Sequence, residues 1–293
     1  MNECIMRYKQ NPIIVGIGEI LWDMLPTGKK AGGAPVNFIY HASLLGVESY
    51  AVSAVGNDER GDELVNLVEH IGINHRIARV DYPTGTVAVG LNHGVPTYTI
   101  TEKVAWDYIP FTHSMHEIAR KTDAVCFGTL AQRSSTSKTT IQKFLSCIPK
   151  DSFRVLDINL RAPFYSPEII KESFQFCNIL KLNIEELEVV RSLYPIEGMS
   201  ISDAGRWLMA TYNLKYLILT AGADFSMVLS PETISYLETP KVDVVDTVGA
   251  GDSFTAAFIT SLLKGATMEE AHNKAIERAA AVCTVAGAWT NHT

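Results

Sequence analysis

Short runs of nearly unbroken apolar residues alternate with stretches of helical periodicity along this chain, and that alternation narrows its fold more than any other feature. The runs are Ile13–Gly18, Tyr50–Val55, Ala124–Phe127, Val155–Ile158, Ile179–Leu182 and Tyr216–Thr220. Strands apolar on both faces belong to sheets covered on both sides, which are typically parallel. The intervening stretches carry legible helix ends. Pro35 suits a first helical turn and Gly46 a stop. Arg60–Ile71 ends ahead of Gly72, and Thr267-x-x-Glu270 is a capping-box pattern that opens the last long helix. The pattern predicts a doubly wound α/β fold with a mostly parallel sheet flanked by helices.

One region breaks the alternation. Thr84–Thr101 has strand chemistry on either side of Asn92-His93-Gly94, a turn signal, and no helix. An inserted hairpin is expected there, and the pattern fits an edge hairpin as well as a flap over a site. No repeat or low-complexity linker divides residues 1–293, so a single domain with an insertion is expected.

Composition excludes several classes. With 293 residues, 47% of them hydrophobic, the chain can bury a large core. A net charge of −7 and no basic cluster beyond pairs such as Lys29-Lys30 and Arg120-Lys121 argue against a nucleic-acid partner. Five cysteines (Cys4, Cys126, Cys147, Cys177 and Cys283) without a C-x-x-C argue against a disulfide framework or a structural zinc. Met1 to Asn11 has no apolar signal-peptide core, and no apolar run reaches the about 18 residues of a membrane span. A cytoplasmic protein with no membrane partner is the expectation.

The chemistry concentrates in Asp246-Thr-Val-Gly-Ala-Gly-Asp-Ser-Phe254. Apolar residues at Phe254, Ala257, Phe258, Leu262 and Leu263 predict a helix over 250–264. Gly249, Ala250 and Gly251 leave N–H groups unobstructed at its start, where the helix dipole favours an anion. Asp252 would repel a resident phosphate, but suits a base beside a phosphoryl group in transit. Capping is its other reading, since Asp is common at helix starts. Gly251-Asp252-Ser253 is not read as a serine-hydrolase string, because Phe254 follows where a trypsin-type site has glycines. His113-x-x-His116 has no third metal ligand nearby.

This nonapeptide resembles the C-terminal signature of the ribokinase-type (phosphofructokinase-B) carbohydrate kinase family. Gly32-Gly-Ala-Pro-Val-Asn37 with Leu45-Gly46 resembles its N-terminal signature, and Val55-Gly-Asn-Asp58-x-x-Gly61 follows in order. The resemblance implies an ATP-dependent sugar kinase. Asp252 would be the general base, and the N–H groups of Gly249, Ala250, Gly251 and Asp252 an anion hole. Asp23, Gly32, Gly33 and Asn37 would hold the sugar. Strings such as Glu19-Ile-Leu-Trp-Asp23, Phe127-Gly-Thr-Leu-Ala-Gln-Arg133 and Asp157-Ile-Asn-Leu-Arg161 look like the fructokinase branch, which implies fructose as acceptor. Ribose, 2-keto-3-deoxygluconate, a nucleoside or a phosphosugar are the alternatives. Arg133 and Arg161 are candidates for substrate contact or for structural roles.

At the nucleotide end, Asn183 and Glu186 match the family's N-x-x-E motif, implying contact with Mg²⁺ through water. Thr220 and Gly222 match a phosphate-contacting Thr-x-Gly, although Phe225 stands where many members have glycine. Some relatives bind a monovalent cation such as K⁺ beside the anion hole. Asp246 would be its ligand here, with carbonyls of Val248 and of the 282–287 segment, including Val282 and Gly287. Bracing the turn is the other role open to Asp246. Lid strands near 20–31 and 84–103, and a homodimer through the lid, are also implied.

Overall fold

The computed structural model describes residues 10–92 and 95–289. Cys4, Met1–Lys9 of the leader reading, and His93-Gly94 of the turn signal lie outside them. In chain order the first elements are β1 (Ile13–Ile17), β2 (Leu21–Leu25), β3 (Gly28–Gly32), α1 (Ala34–Leu44), β4 (Glu48–Gly56), α2 (Glu59–His70) and β5 (Asn74–Val80). Next come β6 (Thr86–Asn92), β7 (Val95–Ile100), α3 (His113–Ala119), β8 (Ala124–Phe127), α4 (Ser135–Cys147), β9 (Phe153–Asp157) and α5 (Pro167–Phe176). The last are β10 (Ile179–Asn183), α6 (Ile184–Arg191), α7 (Ile201–Tyr212), β11 (Tyr216–Thr220), β12 (Phe225–Leu229), β13 (Ile234–Glu238), α8 (Ala250–Leu263) and α9 (Met268–Cys283).

A nine-stranded sheet runs in the order β13-β12-β11-β10-β9-β8-β1-β4-β5. Every pairing from β11 across to β5 is parallel, and β12 and β13 extend one edge antiparallel. Successive side chains of a strand face opposite sides, so each strand feeds two cores. Leu180 and Leu182 pack with Phe144, Phe174 and Leu208 on one side. Ile179 packs with Phe254, Phe258 and Ala275 on the other. This is the doubly wound architecture expected from the apolar runs. Helix α8 is buried through Ser253–Leu262, where its polar residues are only serines and threonines, two of which, Ser253 and Thr255, bond back to the helix carbonyls of Ala250 and Gly251. The Thr267 capping box forms as read, with Glu270 N–H donating to Thr267 Oγ1 and Thr267 N–H to Glu270 Oε2.

Strands β5 and β13 escape the apolar-run criterion because they are half-exposed edge strands. A second, four-stranded sheet, β3-β2-β6-β7, pairs the Thr84–Thr101 hairpin with the segment that follows β1. Strand order reverses between β1, which leads to β4 and β5, and β8, which leads toward β11. Crevices at such reversals, at the carboxyl ends of the strands, are where α/β folds bind ligands.

Candidate active site

Helix α8 begins beside that crevice. Its N-cap, Gly249, has φ +80, and a side chain there would strike Ala288, whose Cβ lies 2.7 Å from the ideal Cβ position. Ser253 N–H makes the first bond of the helix, to Gly249 O at 2.8 Å, and Ala250 N–H closes a turn onto Thr247 O at 3.2 Å. The N–H groups of Gly251 and Asp252 precede the helical ladder, where α-helices leave donors unpaired. Asp252 projects from this turn and accepts a hydrogen bond from Asn37 Nδ2 at 2.8 Å. Asn37 is in turn held by Trp289 Nε1, which donates to its Oδ1 at 2.7 Å.

Asn37 stands in the first turns of α1, whose N-cap is Gly33. Asp23 is in the middle of β2, within the 20–31 segment expected to supply lid strands and just past the end of β1. Strand β2 pairs antiparallel with β3, which ends at Gly32. The Asp23 Oδ2 fills the space that Gly32 leaves, 2.5 Å from where a Cβ would be. Gly32, Gly33, Asn37, Asp23 and Asp252 therefore gather from both ends of the chain.

Burial raises the carboxyl of Asp252 to about 6, and the charge of Asp157 adds to it, against the Asn37 hydrogen bond, Lys181 and Arg161. Burial likewise raises Asp23 to about 6, opposed by Arg161. Arg161 is exposed and acts electrostatically on both carboxyls; its guanidinium donates to Leu160 O at 3.1 Å. Arg133 is engaged differently. It grips Asp107 through Nε and Nη2 at 2.8 and 2.9 Å, donates to Thr101 O, and lies 4.0 Å from the centroid of Trp106. Its charge is spent within the fold.

Asn183 and Glu186 form a capping box at the start of α6. Glu186 accepts N–H bonds from Asn183 on Oε2 and from Leu160 on Oε1, at 2.8 and 2.9 Å. Each oxygen keeps a lone pair, which suits contact with a hydrated Mg²⁺ better than direct chelation. Thr220 ends β11, and Gly222 follows it with φ +53. Phe225 opens β12 and stacks on Tyr236. Asp246 accepts Val248 N–H at 3.1 Å and Gly287 N–H at 2.8 Å, tying the turn before α8 to the 282–287 segment. That is bracing geometry. The carbonyl of Val282 accepts from Val285 N–H.

A family model of the pfkB family carbohydrate kinases matches residues 23–293. The chain belongs to the pfkB family. A protein of Pyrococcus horikoshii described as a sugar kinase is 28% identical over 271 residues, 86% of this chain and 83% of that protein. Its crystal structure in complex with ATP matches with a TM-score of 0.80 at 25% identity, covering 94% of each chain. An ATP-dependent 6-phosphofructokinase of Thermoanaerobacterium thermosaccharolyticum is 28% identical over 276 residues, 88% of this chain and 83% of that protein. A fructokinase of Rhizobium leguminosarum bv. trifolii is 25% identical over 265 residues, 85% and 79% of the two chains.

Three charged residues of this pfkB-family kinase lie at the same centre and were not singled out from its sequence. Glu19, just past β1, is 2% exposed, with Oε2 lacking a hydrogen-bond partner. Burial raises it to about 7, against its own N–H, Arg161 and the N–H of Ala34. Asp157 and Lys181 close a buried ion pair, Nζ lying 3.1 Å from both carboxylate oxygens. The signal for Lys181 was available: a lysine inside Ile179-Leu-Lys-Leu182 interrupts a strand otherwise buried on both faces. Among the described residues no group of three His, Cys, Asp or Glu side chains could hold a metal, and no helix is long and apolar enough to cross a membrane.

Proposed function

We propose that this kinase transfers the γ-phosphoryl group of ATP to a hydroxyl of fructose, giving fructose 6-phosphate and ADP. The observation that carries the reading is the Asn37–Asp252 bond, which joins the sugar-side segment Gly32–Asn37 to the turn suited to an anion. Asp252 accepts the acceptor's proton as its oxygen forms the new bond to phosphorus, while the bond from phosphorus to the ADP oxygen breaks. The N–H groups of Gly251 and Asp252 in the first turn of α8 stabilise charge on the moving group. Asp23, beside Gly32, accepts hydroxyl hydrogen bonds from the sugar.

ATP would lie along Thr220 and Gly222 toward the segment before α8, which exposes Val244, Val245 and Val248. Asn183 and Glu186 would hold Mg²⁺ through water, and Mg²⁺ would supply charge neutralisation at the phosphates. K⁺ would sit against the Val248, Val282 and Gly287 carbonyls beside Asp246. The four-stranded sheet would act as a lid that limits hydrolysis of ATP by water, and its outer face would pair two copies.

A second reading has support from one observation. Lys30, the cross-strand partner of Asp23, brings its Nζ against Gly287, 3.1 Å from that residue's ideal Cβ position. With Arg161 it gives the acceptor end two cations, which suit a phosphosugar such as fructose 6-phosphate. ADP release measured across fructose, fructose 6-phosphate, ribose, 2-keto-3-deoxygluconate and nucleosides separates these readings. Fructose is expected to give the highest kcat/KM. Release of no ADP with any acceptor would sink the kinase reading for this chain.

A further inference from the structure

Lys181 and Asp157 face each other across β10 and β9, in register, on the side of the sheet that α8 covers. Lys181 continues the row begun by Ile179, and its side chain is 10% exposed, that of Asp157 5%. Replacing a buried ion pair with packed apolar side chains is often neutral or stabilising. Stability is therefore a weak reason for the pair.

Its location gives a stronger one. The Lys181 ammonium lies beneath the first turn of α8: an ideal Cβ on Gly251 would meet Lys181 Nζ at 3.1 Å and Cε at 3.6 Å, and no other group within 4 Å. Gly251 is helical, with no positive φ that would call for glycine. A side chain there would press on the Lys181 ammonium. Asp157 fixes the ammonium from the sheet side, and the Lys181 charge acts on Glu186 and Asp252 as well as on Asp157. Four elements, β9, β10, α6 and α8, converge on one cation.

We propose that Lys181 is a positioning residue of the phosphoryl-transfer site, clamped by Asp157 so that its charge sits under the Gly251–Asp252 turn and offsets the negative charge arriving there. The phosphoryl group brings anionic oxygens to a turn that already holds a carboxylate. A fixed ammonium on the protein side of that turn opposes the repulsion without displacing the N–H groups on the ligand side. The assignment rests on the reading of this site as a phosphoryl-transfer site.

The test replaces both partners, Asp157→Asn with Lys181→Met, so that neither member of the ion pair is left without the other. The variant is expected to melt close to wild type and to lose about 100-fold in kcat. KM for ATP and for sugar should change by less than about threefold, since the interaction belongs to the transition state. A folded double variant with wild-type kcat overturns the assignment. If that variant does not fold, Gly251→Ala decides: its methyl group meets only Lys181, so kcat should fall by about tenfold with no loss of melting temperature. Unchanged kcat there overturns the assignment too. Wild-type enzyme is the control that separates the two levels. If it releases no ADP with any acceptor, the transfer reading fails; if it turns over and the variants match it, only the role of Lys181 fails.

Discussion

Asn37 and Asp252 are 215 residues apart in sequence and 2.8 Å apart in the fold. The amide donates its N–H to the carboxylate and accepts from Trp289 with its oxygen, so its orientation is set from both sides. The bond orients the Asp252 carboxylate and leaves Oδ1 without a bond to Asn37, open to receive a proton.

Asp252→Asn should keep the fold, since the side chains are nearly isosteric. As general base catalysis contributes about 10²–10⁴-fold, kcat should drop by about that factor. A coupled ADP-release assay, with circular dichroism to verify folding, checks it. Near-normal turnover in the folded variant would refute a base role for Asp252.

The acid limb of kcat/KM should fall near pH 6, where Asp252 takes up a proton. Protonation removes the base, so activity is lost as pH falls through that value and retained above it. Asn37→Ala removes a donor that favours the ionised form, so its limb should move to higher pH. Profiles of both proteins between pH 5 and 9 provide the measurement, and a limb that stays in place contradicts the coupling.

Arg133→Ala should act on stability and not on sugar recognition. The guanidinium and Asp107 are 8% and 5% exposed, and stranding one buried partner costs about 3–5 kcal/mol. Thermal melting should show the loss, while KM for the sugar in the folded fraction stays unchanged. A selective rise in KM at wild-type stability would return Arg133 to the acceptor site.

His272 is wedged between Ser226 and Ser235, with both ring nitrogens 2.8 Å from a hydroxyl. Burial depresses it to about 4. Its unfolded-state value is near 6.5, so its contribution to stability is full above that pH and is lost as pH falls through about 4. Buried carboxyls such as Glu19 work in the opposite direction, so the comparison must be made against His272→Gln. The variant should lose less stability than wild type between pH 6.5 and 4. An imidazole NMR titration centred near 6.5 would rule the effect out.

The parallel core was legible because its strands are apolar on both faces, a pattern that burial imposes on the residues themselves. The turn before α8 was legible because small residues, a carboxylate and a helical apolar stripe occur together. Arg133 was ambiguous because a surface arginine and one gripping Asp107 read alike. β2 is too short and mixed to announce itself by pattern, and only the family resemblance placed a strand around Asp23. Lys181 interrupts an apolar strand and so was visible, but its pairing with Asp157 and the burial of Glu19 become meaningful only once β1, β9 and β10 are brought together in one sheet. Pairing between distant segments is a property of the packed sheet, and no local window contains it.

Trp289 stacks on Tyr40 with 5.6 Å between ring centroids and is bonded through Asn37 to Asp252. The kinase thus carries an intrinsic fluorophore two hydrogen bonds from its proposed base. With Trp22, Trp106 and Trp207 replaced by Phe, emission from that indole is expected to follow occupation of the site without any label, so that ligand affinities become measurable in variants too slow to assay by turnover.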